Sequence, residues 1–551
     1  MTKTNDWFEV STVGDLLVRG ASLYPSRDAI VFPEERRTYT ELMENATSIA
    51  RGLLALGVRP GEHVGLMSTN CPEFVEGFFA VSMLGCVAVP INARHKASEI
   101  GFIVDNSNVV ALLTTADAHE YTNFTQLFCD ALPSLDKAND CSRLDLEEAP
   151  NLRATVLLRG EGRRGFLGRS ELNKLAQSES TDRVNEARLR VKMRDLALII
   201  YTSGTTANPK GCMLTHEAVV RGSVHRAQTR FKTNTQGVHW NPGPLFHIAA
   251  LAPFLGVIGT FGTYLTDAFF DAGRAVKLMT EENVTMIWPW FPAIVQGVLD
   301  HPDFDASRLN ALEKIMLIGP PALVKRVQNT FPEADLFQAC GMSETAGIFA
   351  LTAEDETAEE RATTQGKSCP GIEVRIVDPA TGKDQDVDKV GEILVRGYCV
   401  MEGYYRDAEK TASALDAEGW LHTGDLYRRS ANGNLEFNGR LKDMLKVGGE
   451  NVAAIEIESY LCEHPAVAAA EVVGKPDSRL DEVPVAFVEL RPGCDLDPQE
   501  LIEFCQGSIS SFKVPRAVFL MEKTAWPMSA TKVNKRALRQ MVEEASGSQS
   551  S

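Results

Sequence analysis

A short run of small and hydroxylated residues is the first place in this sequence where chemistry can be expected. It follows the apolar run LALIIY and reads Thr202-Ser203-Gly204-Thr205-Thr206-Ala207-Asn208-Pro209-Lys210-Gly211. Glycine allows close approach of the backbone, N–H and hydroxyl groups donate to oxygens, and lysine neutralises charge, so the run could wrap a triphosphate. It departs from the G-x4-G-K-[ST] loop of common nucleotide hydrolases. Because such a loop is by itself more often a plain turn, context must decide.

Four further segments supply that context, in the order QACGMSET, GWLHTGDL, GRLKDMLKVGGENV and PMSATKVNK. Together with YTSGTTANPKG they resemble the adenylate-forming superfamily of acyl-CoA synthetases, firefly-type luciferases and peptide-synthetase adenylation domains. The resemblance covers nearly the whole chain, and the five segments together are specific although each alone is weak. It implies an enzyme that uses ATP to convert a carboxylic acid into an acyl-adenylate and then passes the acyl group to a thiol, with coenzyme A as the expected acceptor.

The resemblance implies where the phosphates of ATP bind. The 202–211 run would hold the β- and γ-phosphates through Lys210 and the hydroxyl groups of the run. Glu344 and Thr205 would hold Mg²⁺ on these phosphates, because a hard cation prefers oxygen ligands. The alternative for Glu344 is that it is one exposed acid among 74 Asp and Glu residues.

The ribose and the adenine are assigned in the same way. Asp425 of HTGD would accept both ribose hydroxyls, with Arg440 of NGR as its neighbour. The base would lie along backbone that the resemblance places at Gly319, Cys340, Gly341, Met342 and Ser343. Cys340 stands where a tyrosine commonly stacks on adenine, and the GPP run at Gly319 replaces the usual small residues. We therefore expect adenine stacking to be weaker or to come from another side chain.

Lys532, in PMSATKVNK, is the residue that we expect to catalyse the first step. Attack of a carboxylate on the α-phosphate brings two anions together, and a lysine bridging them offsets the charge that builds up in the transition state. An isolated lysine is usually an exposed surface residue. The role of Lys532 is therefore implied only by the resemblance.

The second step needs a different arrangement, because pyrophosphate has left and a thiol must reach the acyl carbonyl. In the family the small C-terminal domain rotates between steps, and Lys442 occupies the hinge position. Rotation would replace Lys532 by the KVGGEN segment, in which Gly448 and Gly449 leave room for a narrow pantetheine arm. Lys446 would then lie near the adenylate. A Gly-Gly pair by itself is more often a flexible turn.

The acid is expected to bind against WNPGPLFH, TMIWPWFP and GMSETAG. The resemblance places His247, Trp240, Gly341 and Gly347 at this pocket, although a histidine or tryptophan in such a position can also be plain core. The PLFH and GMSETAG segments contain no arginine or lysine to pair with a second anionic group. A hydrophobic monocarboxylic acid, aliphatic, aryl or alicyclic, is the expected substrate.

An α/β fold is indicated by the elements that must position these residues. Residues 35–115 alternate amphipathic helical patterns with short apolar runs, residues 134–190 look like surface elements and loops, and residues beyond 370 become rich in strands. The resemblance implies a large N-terminal domain, 1–439, with two mixed sheets, helices and a small β-barrel-like part. A small mobile α+β domain, 440–551, would follow, with a disordered tail.

Composition limits the possible partners and the compartment. The formal charge of −18 opposes binding to nucleic acid, and eleven cysteines without CxxC pairs suggest reduced thiols in a cytoplasmic protein. Ile248–Leu265 lacks charge over 18 residues, but its proline and glycines favour a buried helix running into a strand over a membrane span.

A homodimer is possible. Three alternatives stay open: a loader of a separate carrier protein, a luciferase-like oxygenase and a binding relative without activity.

Overall fold

The computed structural model describes residues 11–118, 122–202, 209–447, 450–477, 480–506, 508–529 and 532–547. The chain divides into two compact units. The large unit comprises residues up to 362, 366–373 and 395–421, and the small unit comprises 363–365, 374–394 and the residues from 422 onward. The small unit thus includes strands that precede the predicted boundary at 439.

Several of the α-helices begin at a residue whose side chain caps the first turn. At the start of α2, for example, Thr38 and Glu41 form a reciprocal capping box. The helices are α1 (Val13–Leu23), α2 (Tyr39–Ala55), α3 (Pro72–Met83), α4 (Ala97–Asn106), α5 (Phe124–Ala131), α6 (Arg169–Ala176), α7 (Thr181–Arg190), α8 (His216–Thr229), α9 (Ile248–Gly259), α10 (Ala272–Glu281), α11 (Pro292–Leu299), α12 (Pro321–Thr330), α13 (Ala358–Thr363), α14 (Ala408–Ala414), α15 (Ala454–Leu461), α16 (Pro498–Cys505) and α17 (Lys535–Gly547).

The first sheet of the large unit has seven strands and is parallel apart from its last pair. Its order is β15 (Asp335–Phe337), β14 (Lys314–Leu317), β13 (Met286–Trp290), β11 (Val238–Trp240), β12 (Thr263–Leu265), β1 (Asp28–Val31) and β2 (Arg36–Thr38). Because parallel strands end at the same edge, the loops after β11, β13, β14 and β15 leave the sheet together, where α/β sheets bind ligands.

The second sheet also has seven strands, of which the last five are parallel neighbours. Its order is β21 (Gly403–Tyr404), β10 (Lys210–Thr215), β9 (Leu196–Thr202), β4 (Val87–Pro90), β3 (His63–Met67), β5 (Val109–Thr115) and β8 (Ala154–Arg159). The predicted strand and helix alternation over residues 35–115 is confirmed. The expectation of surface elements and loops over 134–190 was wrong at β8, which pairs with β5 and is buried except at its last residue.

The remaining strands form smaller, open sheets. They are β6 (Asp117–Ala118) with β7 (Thr122–Asn123), then β16 (Ala339–Met342), β17 (Gly347–Leu351) and β18 (Lys367–Ser368), then β19 (Ile372–Val377), β20 (Gly391–Gly397), β22 (Leu421–Arg429) and β23 (Leu435–Arg440), then β25 (Glu450–Ala453), β24 (Met444–Val447), β27 (Asp481–Leu490) and β26 (Val467–Asp477), and finally β29 (Met528–Ser529) with β30 (Lys532–Val533). One more strand, β28 (Ala517–Leu520), pairs with β27. The prediction of a small barrel-like part was wrong, because these sheets are open and no closed barrel forms among the described residues.

The uncharged stretch Ile248–Leu265 has the structure predicted from its sequence. It forms α9, a short turn and β12, and almost all of its residues are buried. One buried cluster joins α1, α2, α3 and α9 to both seven-stranded sheets. Over the described ranges, no helix is long and apolar enough to cross a membrane.

Candidate active site

The two ends of the predicted phosphate-binding run lie directly opposite each other. Thr202 ends β9, Lys210 begins β10, and the two residues are cross-strand partners. The run therefore leaves the sheet at the carboxyl end of a parallel strand, a usual place for ligand binding. The predicted residues Ser203, Gly204, Thr205 and Thr206 lie outside the described residues.

Glu344 is a buried carboxylate rather than an exposed acid. It lies in a 3₁₀ turn, Ser343–Thr345, and is 8% exposed. Its Oε1 accepts a hydrogen bond of 2.9 Å from the Tyr404 hydroxyl, and its carbonyl accepts the Met401 N–H at 2.9 Å. Burial and then the Glu344 charge raise the pKa of Tyr404, so this phenol remains a donor.

Tyr404 also contacts the predicted phosphate lysine. The Lys210 ammonium lies 4.9 Å from the centre of the Tyr404 ring, within cation–π range. One tyrosine thus brings together Lys210 and Glu344, which are far apart in the sequence. Tyr404 was not predicted from the sequence, although the EGYY segment at the start of β21 could have drawn attention to it.

Glu344 is a candidate ligand for a divalent cation. Glu344 offers a buried carboxylate of which one oxygen is engaged by Tyr404, and carboxylate oxygens are ligands that Mg²⁺ prefers. The described residues contain no group of three or more His, Cys, Asp or Glu side chains arranged to hold a metal. The chain therefore fits a cation that is bound through one or two carboxylates with the other ligands from phosphate and water.

Cys340 is buried in β16 at 5% exposure, whereas Gly341 is accessible and Met342 is half-buried. A side chain at Gly341 would lie 2.4 Å from the Gly347 carbonyl oxygen, so the close approach of β16 and β17 requires glycine there. The accessible part of β16 at this point is therefore Gly341 and Met342.

Gly319 lies in the loop between β14 and α12, at the carboxyl edge of the first sheet. Its N–H donates to Gln338 Oε1 at 3.4 Å. Gln338 is 1% exposed, and its amide donates to the carbonyls of Arg361 and Ala362 at 2.9 and 3.0 Å. Sequence reasoning missed Gln338, the first residue of the QACGMSET segment.

A cavity lies beside β17 and is named here the tryptophan cavity. Trp288 and Trp290 of β13, Ile248 of α9 and Gly347 of β17 line it. Arg226 also lines it, from α8, outside the segments predicted to form the wall, and donates to the Ile348 carbonyl at 2.9 Å.

Strand alternation separates the neighbours His239 and Trp240. His239 faces the tryptophan cavity, and burial lowers its pKa to about 3, so the ring is neutral. Trp240 lines a second, apolar cavity of about 340 Å³ with Ile287 and Pro289. His247 precedes α9 as its N-cap, next to Ile248.

Asp425 and Arg440 are brought together in the small unit. They are cross-strand partners on β22 and β23, with Arg440 Nε 3.0 Å from Asp425 Oδ1. Gly424 has a φ of 70°, a left-handed conformation that glycine adopts readily, and it turns the strand just before Asp425.

Glu392 supports this turn and was missed by sequence reasoning. Its Oε1 accepts the Gly424 N–H at 2.9 Å, and its Oε2 lies 3.1 Å from His422 Nδ1. Glu392 is 7% exposed, so a buried carboxylate fixes the backbone of the HTGD segment. An acidic residue in the otherwise apolar GEILV strand is the sequence feature that could have indicated Glu392.

Lys442 and Lys446 lie on either side of the start of β24. Lys442 is in a 3₁₀ turn, Leu441–Asp443, and desolvation followed by the Arg440 charge lowers its pKa. Lys446 is exposed, and its N–H donates to Glu482 at 2.9 Å. Gly448 and Gly449 lie outside the described residues.

Lys532 begins β30, in a two-residue antiparallel pair with β29 in which Ser529 is its partner. Three residues later, Lys535 opens α17 and forms an ion pair with Glu458 of α15. Its ammonium also lies 3.4 Å from Glu471 and donates to the Val472 carbonyl at 3.3 Å. The chain that follows Lys532 is therefore fixed by a largely buried cation.

Comparison with known protein families gives two matches along the chain. A family described as AMP-binding enzyme matches residues 17–405, and one described as AMP-binding enzyme C-terminal domain matches residues 456–531. The first alone covers more than half of the chain.

Curated relatives and solved structures agree with these matches. A putative acyl-CoA synthetase, YngI, of Bacillus subtilis (strain 168) is 32% identical, over 97% of both chains. A CoA ligase of Mycobacterium tuberculosis, named for a methyl-dioxo-octahydro-indenyl propanoyl group, is 33% identical, over 98% of this chain and 99% of that protein. The fold is similar to that of the anthranilate CoA ligase AuaEII, with a TM-score of 0.84 and 24% identity over 99% of this chain and 100% of the other. The chain therefore belongs to the adenylate-forming AMP-binding enzyme family, among its AMP-forming acid–CoA ligases.

Proposed function

We propose that the protein activates a hydrophobic monocarboxylic acid with ATP and Mg²⁺, releases pyrophosphate, and transfers the acyl group to coenzyme A. One observation supports this most directly. Glu344, held by Tyr404, is followed three residues later by Gly347, which lines the tryptophan cavity. A carboxylate suited to a metal–nucleotide complex and an apolar pocket suited to an acyl chain are thus consecutive along one short segment.

In the first step, Lys210 and the 202–211 run bind the β- and γ-phosphates. Glu344 and Thr205 would hold Mg²⁺, which would neutralise charge on the phosphates and orient them. Asp425 accepts the ribose hydroxyls, and Arg440 holds the Asp425 carboxylate in place. Support comes from the 3.0 Å pair of Asp425 and Arg440 and from the 2.9 Å bond to Glu344.

The base lies along Gly319, Cys340, Gly341, Met342 and Ser343. Because Cys340 is buried, the backbone at Gly341 and the side chain of Met342 are the groups we expect to contact adenine.

Lys532 bridges the acid's carboxylate and the α-phosphate as the bond between them forms. Its ammonium offsets the extra negative charge of this transition state. The position of Lys532 at a short β-pair, three residues ahead of the anchored Lys535, supports a fixed placement of its backbone.

In the second step, a hinge movement at Lys442 withdraws Lys532. Gly448 and Gly449 then admit the pantetheine arm, and Lys446 approaches the adenylate. The thiol attacks the acyl carbonyl, the carbon–sulfur bond forms, and AMP leaves. The 3₁₀ turn at Lys442, which lies between β23 and β24, supports a hinge at this position.

The acid is assigned to the tryptophan cavity because most of its wall consists of aromatic and aliphatic side chains and glycine. The dioxo bicyclic propanoyl group in the name of the Mycobacterium tuberculosis relative is consistent with a bulky acyl group. His247, at the start of α9, is assigned to the entrance of the pocket.

The competing assignment is an adenylating enzyme that loads a separate carrier protein. A screen of aliphatic, aryl and alicyclic acids, with and without coenzyme A, tests both by following pyrophosphate release and thioester mass. We expect acid-dependent pyrophosphate release and a CoA thioester. Pyrophosphate release without a CoA thioester for any acid would favour carrier loading, and no release for any acid would contradict the proposal. A homodimer and a cytoplasmic location stay predictions of the sequence.

A further inference from the structure

The tryptophan cavity is lined by two indoles whose N–H groups differ in their hydrogen bonding. Trp288 Nε1 donates to His239 Nδ1 at 3.4 Å. Trp290 is only 5% exposed, and its Nε1 is buried without a hydrogen-bond partner among the described residues. Since nearly all buried polar groups in folded proteins are paired, the Trp290 N–H calls for a partner that this part of the polypeptide does not supply.

Trp290 also has a backbone conformation that bulky residues rarely adopt. Its φ is 55°, and the Phe291 N–H donates to the Pro289 carbonyl at 2.6 Å across it. Such a backbone conformation is strained for a residue with a bulky side chain. A buried N–H without a partner is a second destabilising feature. Both occur at one residue of the cavity wall, which is typical of a residue held in place for a ligand.

The other polar side chains of the wall already have partners in the described chain. Arg226 donates to the Ile348 carbonyl, and the Ser223 hydroxyl donates to the Val219 carbonyl at 2.7 Å. His239 Nδ1 accepts from Trp288. Of the side chains in this wall, Trp290 is the one with a buried N–H that has no partner within the described chain, and that N–H is the donor offered to a bound acid.

We propose that Trp290 Nε1 donates a hydrogen bond to a neutral oxygen, a ketone or a hydroxyl, on an otherwise apolar acyl group. The preferred substrates are then oxygenated carboxylic acids, recognised by that oxygen as well as by their apolar skeleton. This inference rests on the proposed function and narrows its substrate class. A site built to bond a substrate oxygen rejects the analogue without it, because its buried donor is then left unpaired.

Matched pairs of acids test the inference. The pairs are octanoic acid against its 4-, 5-, 6- and 7-oxo derivatives, 3-cyclohexylpropanoic acid against 3-(4-oxocyclohexyl)propanoic acid, and 3-phenylpropanoic acid against 3-(4-hydroxyphenyl)propanoic acid. Pyrophosphate release and thioester mass give kcat/KM for each acid. We expect the oxygenated member of at least one pair to be preferred by roughly 10- to 100-fold, the range expected for one buried hydrogen bond.

Two variants separate the hydrogen bond from the shape of the pocket. Trp290→Phe removes the N–H but keeps an aromatic ring, and we expect the preference between paired acids to fall to about 2-fold or less. Trp288→Phe is the matched control, since it removes a similar volume from the same wall but an N–H that already has a partner. The Trp288→Phe variant can be slower overall, but its ratio of kcat/KM between the two acids of a pair should stay at the wild-type value.

The outcomes distinguish failure of this inference from failure of the proposed function. Equal kcat/KM within every pair, or a preference that survives Trp290→Phe, overturns the inference and leaves the ligase assignment standing. A preference for octanedioic acid over all the oxo acids also overturns it, because it points to recognition of a second carboxylate by Arg226. No pyrophosphate release with any acid contradicts the proposed function itself.

Discussion

Asp425 and Arg440 face each other across β22 and β23, with Arg440 Nε 3.0 Å from Asp425 Oδ1. The Asp425 side chain is 15% exposed and that of Arg440 is 38% exposed. The arginine therefore orients a partly buried carboxylate, whose oxygens can accept hydrogen bonds from hydroxyl groups. Glu392, which binds the Gly424 N–H, fixes the backbone from the other side.

Replacing Asp425 by Asn should weaken ATP binding more than it changes the chemistry. The amide keeps the shape but loses the charge, and hydrogen bonds to a charged group contribute roughly 1.5–3 kcal/mol. We expect KM for ATP to rise about 10- to 100-fold in acid-dependent ATP–pyrophosphate exchange, with a smaller change in kcat.

Glu436→Gln is the matched control for Asp425→Asn. Glu436 pairs with Arg428 at 2.7 Å on the same two strands, but both side chains are more exposed. Exposed ion pairs contribute little, so KM for ATP should stay close to that of the wild type. Equal effects of both substitutions would mean that Asp425 only stabilises the strand pair.

Replacing Tyr404 by Phe should impair the use of Mg²⁺–ATP. The variant keeps an aromatic ring beside Lys210 but removes the hydroxyl that binds Glu344. A carboxylate that loses a donor of this kind is less well oriented, and we expect kcat/KM for ATP to fall roughly 10-fold. The Mg²⁺ concentration at half-maximal rate, measured at saturating ATP, should rise.

The neighbouring Tyr405 provides the control for Tyr404→Phe. Its hydroxyl accepts from Asn108 Nδ2 at 3.2 Å. Tyr405→Phe should leave the Mg²⁺ dependence unchanged. If Tyr404→Phe also left it unchanged, Glu344 would not be the metal-binding residue.

The sequence was sufficient to predict the helices and strands over 35–115 and the buried α9–β12 segment, because their hydrophobic patterns are long and regular. It missed β8, whose short apolar run lies in polar surroundings. Tyr404 and Glu392 were missed for another reason. Each acts on a residue that is distant along the chain, and a local pattern such as EGYY or GEILV does not identify that partner.

The residues predicted to line the acid pocket are divided between two cavities. Which face of β11 points to the cavity depends on strand register, since neighbouring side chains point to opposite sides. Trp240 was assigned to the pocket, whereas its neighbour His239 lines the tryptophan cavity. Arg226 comes from a helix that no pocket motif marks.

Lys535 should position Lys532 for the first step. Lys535→Met removes the partner of Glu458 and Glu471, and breaking such a pair when buried costs about 3–5 kcal/mol. We expect ATP–pyrophosphate exchange to fall, whereas thioester formation from supplied acyl-adenylate should be largely retained. The same pattern is predicted for Lys532→Ala. Lys535→Arg should restore exchange.

Arg536→Met is the control for Lys535→Met, because Arg536 is the next residue and is exposed. It should affect neither half-reaction. Equal loss of both half-reactions in a folded Lys535→Met protein would show a general structural role, and the same result for Lys532→Ala would remove Lys532 from the first step.

The stability of the large unit should fall between about pH 6.5 and pH 4 because of His216. The Val13 N–H donates to His216 Nδ1 at 3.2 Å, and burial lowers the pKa of His216 to about 4. An unfolded histidine titrates near pH 6.5, so below that value the unfolded chain binds a proton that the folded chain does not. The contribution of neutral His216 to the stability is therefore fully present above about pH 6.5 and is lost as the pH falls towards 4.

His216→Gln tests this pH dependence, because a glutamine oxygen can accept the same N–H but does not titrate. In urea denaturation, the difference in unfolding free energy between wild type and variant should favour the wild type at about pH 7.5. At about pH 5 this difference should be smaller than at pH 7.5 by on the order of 1–2 kcal/mol, because only the wild type loses stability through protonation of His216. A difference that stayed the same at both pH values would mean that protonation of His216 is not linked to folding.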